Sequence, residues 1–102
     1  MPTRKREPTS KYRIFETDEF NKTLKKREPN EQEIIKKKLK EYVYPQLVEE
    51  PLFGQNIRKL SGYSPDTWRY RIGRFRLFYA VGKKEKTVFV LTIDDRKDIY
   101  KK

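Results

Sequence analysis

Two stretches in the second half of the chain carry the residues best placed to do chemistry. In Thr67 to Ile72 (TWRYRI), Trp68, Tyr70 and Ile72 fall on one side of an extended backbone, with Arg69 and Arg71 on the other, because successive strand side chains point to opposite faces. In Arg74 to Val81 (RFRLFYAV), Phe75, Leu77, Tyr79 and Val81 share a face, and Arg74, Arg76, Phe78 and Ala80 take the opposite one. If the apolar faces join in one core, Arg69, Arg71 and Arg76 crowd the other side of a sheet. Such a cluster repels itself when empty, and a polyanion completes it. Arginine suits that task, since its planar fork grips phosphate oxygens two at a time and keeps its charge at any relevant pH. The plainer reading is that these are exposed strand arginines tied to Asp66, Asp94 or Asp95. Three together, with so few acids nearby, favour anion binding.

Composition narrows the chemistry further. There is no Cys and no His among the 102 residues. That removes thiol catalysis, disulfides, the usual acid–base side chain and the commonest metal ligand, so neither a zinc site nor any cofactor is expected. The formal net charge is +11, and from Ile57 onward 13 basic residues face only 5 acidic ones. A domain so charged on one part has the footprint of a nucleic-acid binder, although a merely basic protein or one with an acidic partner fits the charge as well. No run approaches the ~18 apolar residues that span a bilayer. The basic N-terminus has no apolar segment behind it, so no secretory signal is expected, and the cytoplasm is the expected compartment.

The elements that must position the arginines follow from periodicity. Charged residues make up 40% of the chain, enough to raise the question of disorder. They fall between periodic apolar stretches, however, so most of the chain folds. Residues 1–10 form a polar, flexible tail, and residues 11–102 make one domain. Lys11 to Glu16 alternates as a short strand, with Tyr12 and Ile14 on one face. Thr17 is the N-cap of a first helix holding Phe20 and Leu24. Asn30 caps a second helix, with Glu33 completing a capping box. Its apolar stripe is Ile34, Ile35, Leu39, Tyr42 and Val43, with the lysines 36, 37, 38 and 40 on a solvated face. Tyr44 precedes Pro45, where the helix ends or kinks. Four strands follow: Ile57 to Leu60, Thr67 to Ile72, Arg74 to Val81, and Thr87 to Ile93, the last apolar on both faces and so central. Asp94 to Lys102 is polar, with one short helical turn around Ile99 and Tyr100. The order predicts an α+β domain in which two helices pack on a four-stranded antiparallel sheet, with an additional short N-terminal strand. The expected core includes Ile35, Leu39, Tyr42, Trp68, Tyr70, Leu77, Tyr79, Phe89 and Leu91.

The stretch RKLSGYSPDTWRYRIGRFRLFYAV and the following KTVFVLTIDDRKDIYKK resemble the core of the RelE/ParE toxin superfamily. Three spaced elements carry the resemblance: Lys59-Leu60-Ser61-Gly62, the run from Arg71 to Tyr79 (RIGRFRLFY), and Arg96-Lys97-Asp98-Ile99-Tyr100. It implies a RelE-like fold, ribosome-dependent cleavage of mRNA with 16S rRNA contacts, and neutralisation by a cognate antitoxin. It also implies a catalytic set of Arg69, Arg71, Arg76, Arg96 and Tyr100, with Lys59, Arg74 and Lys97 binding RNA. An RNA 2′-OH attacks the neighbouring phosphate without any metal, given a proton acceptor and charge stabilisation. Arg76 and Arg96 would hold that phosphate, and Arg69 and Arg71 would support it and the leaving oxygen. Tyr100 would take the proton, stack on a base, or merely close the core beside Ile99. The chain departs from family relatives in having arginines where lysines are often found, and Asp94 and Asp95 where others place a His. Two other functions fit the same pattern: a ParE-like toxin that binds DNA gyrase, and a non-catalytic nucleic-acid-binding module.

Overall fold

A computed structural model of the chain describes residues 11–95. The N-terminal tail and the terminal residues Arg96, Lys97, Ile99 and Tyr100 lie outside them. The described elements are β1 (Arg13–Glu16), α1 (Asp18–Lys25), α2 (Pro29–Lys38), a wide π turn (Leu39–Val43), α3 (Tyr44–Glu49), β2 (Ile57–Leu60), β3 (Thr67–Ile72), β4 (Phe75–Gly82) and β5 (Thr87–Asp95).

The strands form one sheet in the order β1-β5-β4-β3-β2. β2 to β5 are antiparallel neighbours, and the short β1 joins the outer edge of β5 in parallel. This is the expected two-helix α+β architecture with its extra strand, and β5 lies inside the sheet as its double apolar faces predict, although β4 is the middle strand. Gly73, at φ +60°, is the first of two residues turning β3 into β4, a left-handed conformation that suits glycine.

The helices cover one face of the sheet only. α1 starts as expected: the Thr17 hydroxyl accepts from the Phe20 N–H at 3.2 Å and donates to the Val90 carbonyl at 2.7 Å, pinning the helix to β5. α2 begins differently. Glu28, not Asn30, is its N-cap, and Pro29 takes the first helical position, where its missing N–H is no loss. Pro45 neither ends nor sharply breaks the path. The π turn, with Tyr44 N–H bonded to Leu39 C=O, widens the ladder just ahead of the proline, and α3 continues beyond it. The wider turn holds a four-residue repeat on one line, so Ile35, Leu39, Val43 and Leu47 are all buried. Ile34 and Tyr42 precede members of that line by one residue, about 100° around the helix. They are therefore outside, and Tyr42 is 64% exposed, not in the core as its spacing suggested.

Against the helices pack Tyr70, Leu77, Tyr79, Val88, Val90 and Ile93. The two buried tyrosines place their hydroxyls on acceptors, Tyr70 on Gln46 Oε1 at 3.0 Å and Tyr79 on the Pro51 carbonyl at 2.7 Å. Trp68 is half-buried at the core's edge. The register slips between Phe78 and Tyr79, whose partners are Thr92 and Val90, so Leu91 is an extra residue that bulges from β5. Phe89 and Leu91 consequently lie half-buried on the far face, and Val88, Val90 and Ile93 supply the core instead.

Candidate functional site

The face of the sheet away from the helices carries the predicted cluster. Arg71 and Arg76 are direct partners across β3 and β4, and Arg69 sits opposite Phe78 in the next same-face row. Directly opposed residues on one face bring their Cβ atoms to about 5 Å. Arg69 and Arg76 are half-buried, and Arg71 is exposed. The alternation in the sequence thus gave the correct register.

A fourth arginine completes the patch. Arg58, in the short strand β2, pairs with Arg69 on its other side. Sequence reasoning passed it over because IRKL is too short to show a period. Only its pairing with β3 assigns its face.

None of the four makes an ion pair with a described residue, and the Nε atoms of Arg69 and Arg76 are buried without a hydrogen-bond partner there. The acids that might have neutralised them are engaged elsewhere or held apart. Asp66 pairs with Lys59 at 3.3 Å, and Asp95 accepts from Arg74 Nε at 2.9 Å with Arg27 at 3.8 Å. Asp94 is Arg76's register partner on β5, but is not within ion-pairing distance of it. Burial, and then the neighbouring Arg58, Arg71 and Arg76, pull the Arg69 guanidinium below the ordinary arginine range. An empty patch of this kind is raised in energy by its own charge, which an anion relieves.

Two predicted RNA-binding residues are not brought to this patch. Arg74 occupies the turn after Gly73, where the strand alternation lapses. It points toward the helices, bonded to Asp95 and Glu31 and lying 4.8 Å over the Phe75 ring. Lys59 lies beside Trp68, 5.8 Å from its ring centroid, on the helix side of β2. Arg96, Lys97 and Tyr100 fall outside the described residues. Among the described residues no group of carboxylates capable of holding a metal ion is present.

The sequence model described as "ParE toxin of type II toxin-antitoxin system, parDE" matches residues 16–100. The chain belongs to the RelE/ParE superfamily of toxins. Among the solved structures it resembles are several RelE proteins. The intact RelBE toxin–antitoxin complex of E. coli is similar at 27% identity over 82% of this chain and 95% of the other, with a TM-score of 0.60. RelBE2 from Mycobacterium tuberculosis follows at 25% identity, 84% and 99% coverage and a TM-score of 0.65. The archaeal RelE–RelB complex from Pyrococcus horikoshii shares the fold at 24% identity, 84% and 96% coverage and a TM-score of 0.62. No curated protein sequence matches the chain significantly. No helix among the described residues is long and apolar enough to cross a membrane.

For a toxin of this superfamily, four guanidiniums on a sheet face that no described helix covers are the main chemical resource. They can bind consecutive phosphates of a strand laid across β2, β3 and β4. They can also stabilise a phosphate that gains negative charge as it reacts.

Proposed function

We propose that this toxin is a ribosome-dependent mRNA endoribonuclease that cuts by 2′-OH attack and needs no cofactor. The observation that carries the reading is the patch of Arg58 and Arg69 in one row and Arg71 and Arg76 in the next, with no acidic partner among the described residues. A purely structural cluster of arginines would be expected to carry its own counter-charges.

In this mechanism the 2′-hydroxyl gives up its proton as its oxygen bonds to phosphorus, and the 5′-oxygen leaves and takes a proton from water. The products are a 2′,3′-cyclic phosphate and a 5′-hydroxyl end. Arg76, with Arg96, holds the non-bridging oxygens, and Arg69 and Arg71 support the phosphate and the departing oxygen. Arg58 extends the track by one more phosphate. Tyr100 either accepts the 2′-OH proton or stacks on a base beside the cut. Lys97 adds a contact near the terminus, whereas Lys59 and Arg74, held in ion pairs on the other side of the sheet, stay off this path. A cognate antitoxin with an acidic segment shields the same face, and the ribosome places the toxin in the cytoplasm beside its mRNA and 16S rRNA.

The test adds purified toxin to ribosomes programmed with a defined mRNA and maps new 5′-hydroxyl ends. Cuts confined to the decoding site support the reading. Tyr100→Phe then separates the two tyrosine roles: a strong loss of rate makes it the proton acceptor, and a silent Phe with a harmful Ala makes it a stacking platform.

The match to the ParE sequence model favours one other reading, inhibition of DNA gyrase by binding. Loss of gyrase supercoiling with intact mRNA on the ribosome would establish that reading and end the nuclease proposal.

A further inference from the structure

Of the arginines on the β3–β4 hairpin, Arg74 stands away from the patch, held in a network of its own. Its guanidinium bonds to the Asp95 carboxylate at 2.9 Å and to Glu31. Both carboxylates also face Arg27, Asp95 at 3.8 Å and Glu31 at 4.0 Å. Arg74, Asp95, Arg27 and Glu31 thus form a ring of alternating charge. The two guanidiniums lie over the Phe75 ring, Arg27 at 5.8 Å and Arg74 at 4.8 Å from its centroid. The network ties the β3–β4 turn and the last row of β5 to the start of α2 and the link before it.

Its place relative to the patch follows from the register. Ile72, Phe75 and Asp95 form one row, buried on the helix side. Arg71, Arg76 and Asp94 form the next row, on the opposite face. The Arg71–Arg76 pair is therefore one residue from the turn that Arg74 anchors. The Arg71 N–H is bonded to the Asn56 carbonyl at 3.0 Å, on the β2 side, so Arg71 and Arg76 share no backbone hydrogen bond. Side chains come closest in pairs of that kind, and like charges set opposite each other push the strands apart.

We propose that this ring is a positioning device: Arg74, held by Asp95 and Glu31, fixes the end of the hairpin so that Arg71 and Arg76 keep the spacing that one phosphate bridges. The inference takes the phosphate from the RNA reading above, while the ring itself touches no RNA.

Stability alone does not account for such a ring. Desolvation offsets most of the attraction inside a partly buried network, so its value lies more in the single geometry it enforces. On the patch side no described residue of opposite sign holds the two arginines, since Asp94 in their row makes no ion pair with Arg76. Restraint must come through the backbone, and the nearest one is the ring on the other face of the same two strands. Its effect on chemistry can be large, because a displacement of about 1 Å costs on the order of 10²-fold in rate.

The experiment uses the full-length toxin with Glu31→Gln and Arg74→Gln combined, which opens the ring and leaves the net charge unchanged. Both positions are less buried than Asp95, whose replacement puts the fold at risk, and thermal melts set a temperature at which every protein is folded. Single-turnover cleavage on programmed ribosomes is expected to slow about tenfold at saturation, with the half-saturating ribosome concentration within about twofold of wild type. Arg74→Lys keeps a charge for both carboxylates without the planar fork and is expected to fall between. Binding to a single-stranded RNA is read separately from cleavage. There the double variant is expected to bind about threefold more weakly with the same slope of log affinity against log salt, because no phosphate contact is lost. A folded double variant that cuts within about twofold of wild type, or that loses rate only through half-saturation, overturns the inference. A flattened salt slope would put Arg74 on the RNA itself and overturn it as well. Wild-type toxin that leaves mRNA intact sinks the nuclease reading alone; the RNA measurement then decides the ring, and an affinity unchanged in the double variant ends it.

Discussion

Replacing Arg76 with alanine is expected to leave the fold in place and slow mRNA cleavage about 10²-fold. The side chain is half-buried on the helix-free face, with its guanidinium 6.0 Å from the Phe78 ring centroid. Truncation removes the packing of its stem but opens no hole in the core, and it relieves repulsion with Arg69 and Arg71. The two effects oppose each other, so the change in stability is expected to stay under about 1 kcal/mol. For a domain of this size that moves Tm by no more than about 5 °C. The catalytic loss is larger because the lost contact is charge-assisted and strengthens as the phosphate gains charge, worth about 3 kcal/mol. Arg76→Lys restores the charge without the planar fork and is expected to recover only part of the rate. Single-turnover cleavage on programmed ribosomes, run beside thermal melts of each variant, measures both quantities. A folded Arg76→Ala toxin that cuts within about threefold of wild type would refute the reasoning.

Three further expectations follow from the same structure. If Arg58, Arg69, Arg71 and Arg76 each hold one phosphate, log affinity for single-stranded RNA falls with log salt at a slope of about −3, and each Arg→Ala flattens it by about 0.7; a slope unchanged by the substitutions would remove them from the RNA path. Burial holds the hydroxyls of Tyr44 and Tyr79 protonated, and the Glu16 carboxylate accepting from Tyr44 at 2.6 Å adds to this. Their folded pKa values lie above the unfolded value of about 10, so their contribution is full below pH 10 and is lost as pH rises past it. Denaturant midpoints should therefore fall from pH 9 to 11, less steeply in Tyr44→Phe, and a flat profile in wild type would contradict the burial argument. Leu39→Ala should cost about 3 kcal/mol and Tyr42→Ala under about 0.5 in urea unfolding; the reverse ranking would put the helix stripe back where its spacing first suggested.

The parts of the fold that could be read from the sequence are those with a long, clean period. TWRYRI and RFRLFYAV each show several alternations, and they placed Arg69, Arg71 and Arg76 correctly. The misreadings occur where the period is interrupted. A π turn ahead of Pro45 shifted the buried line of α2 by one residue, which moved Tyr42 outside. A bulge at Leu91 exchanged the two faces of β5 midway. The turn after Gly73 removed Arg74 from its apparent neighbours and tied it to Asp95 and Glu31. The place of Arg58 in the patch depends on which strands lie side by side, a tertiary fact that no local pattern encodes.

The sheet order has a consequence for the timing of synthesis. β5 lies between β1 and β4, and Arg13 pairs with Thr87, 74 positions later in the chain. At 5–20 residues per second, roughly 4 to 15 s separate the translation of those partners. Through that interval β1 and α1 have no strand to pack on, and the arginines of β3 and β4 belong to an unfinished sheet. Contacts this distant in sequence also make closure slow once the last strand exists. The nascent chain therefore carries its arginines well before it has a surface to hold them, and the cell meets a formed toxin only after the final strand has been inserted into the middle of the sheet.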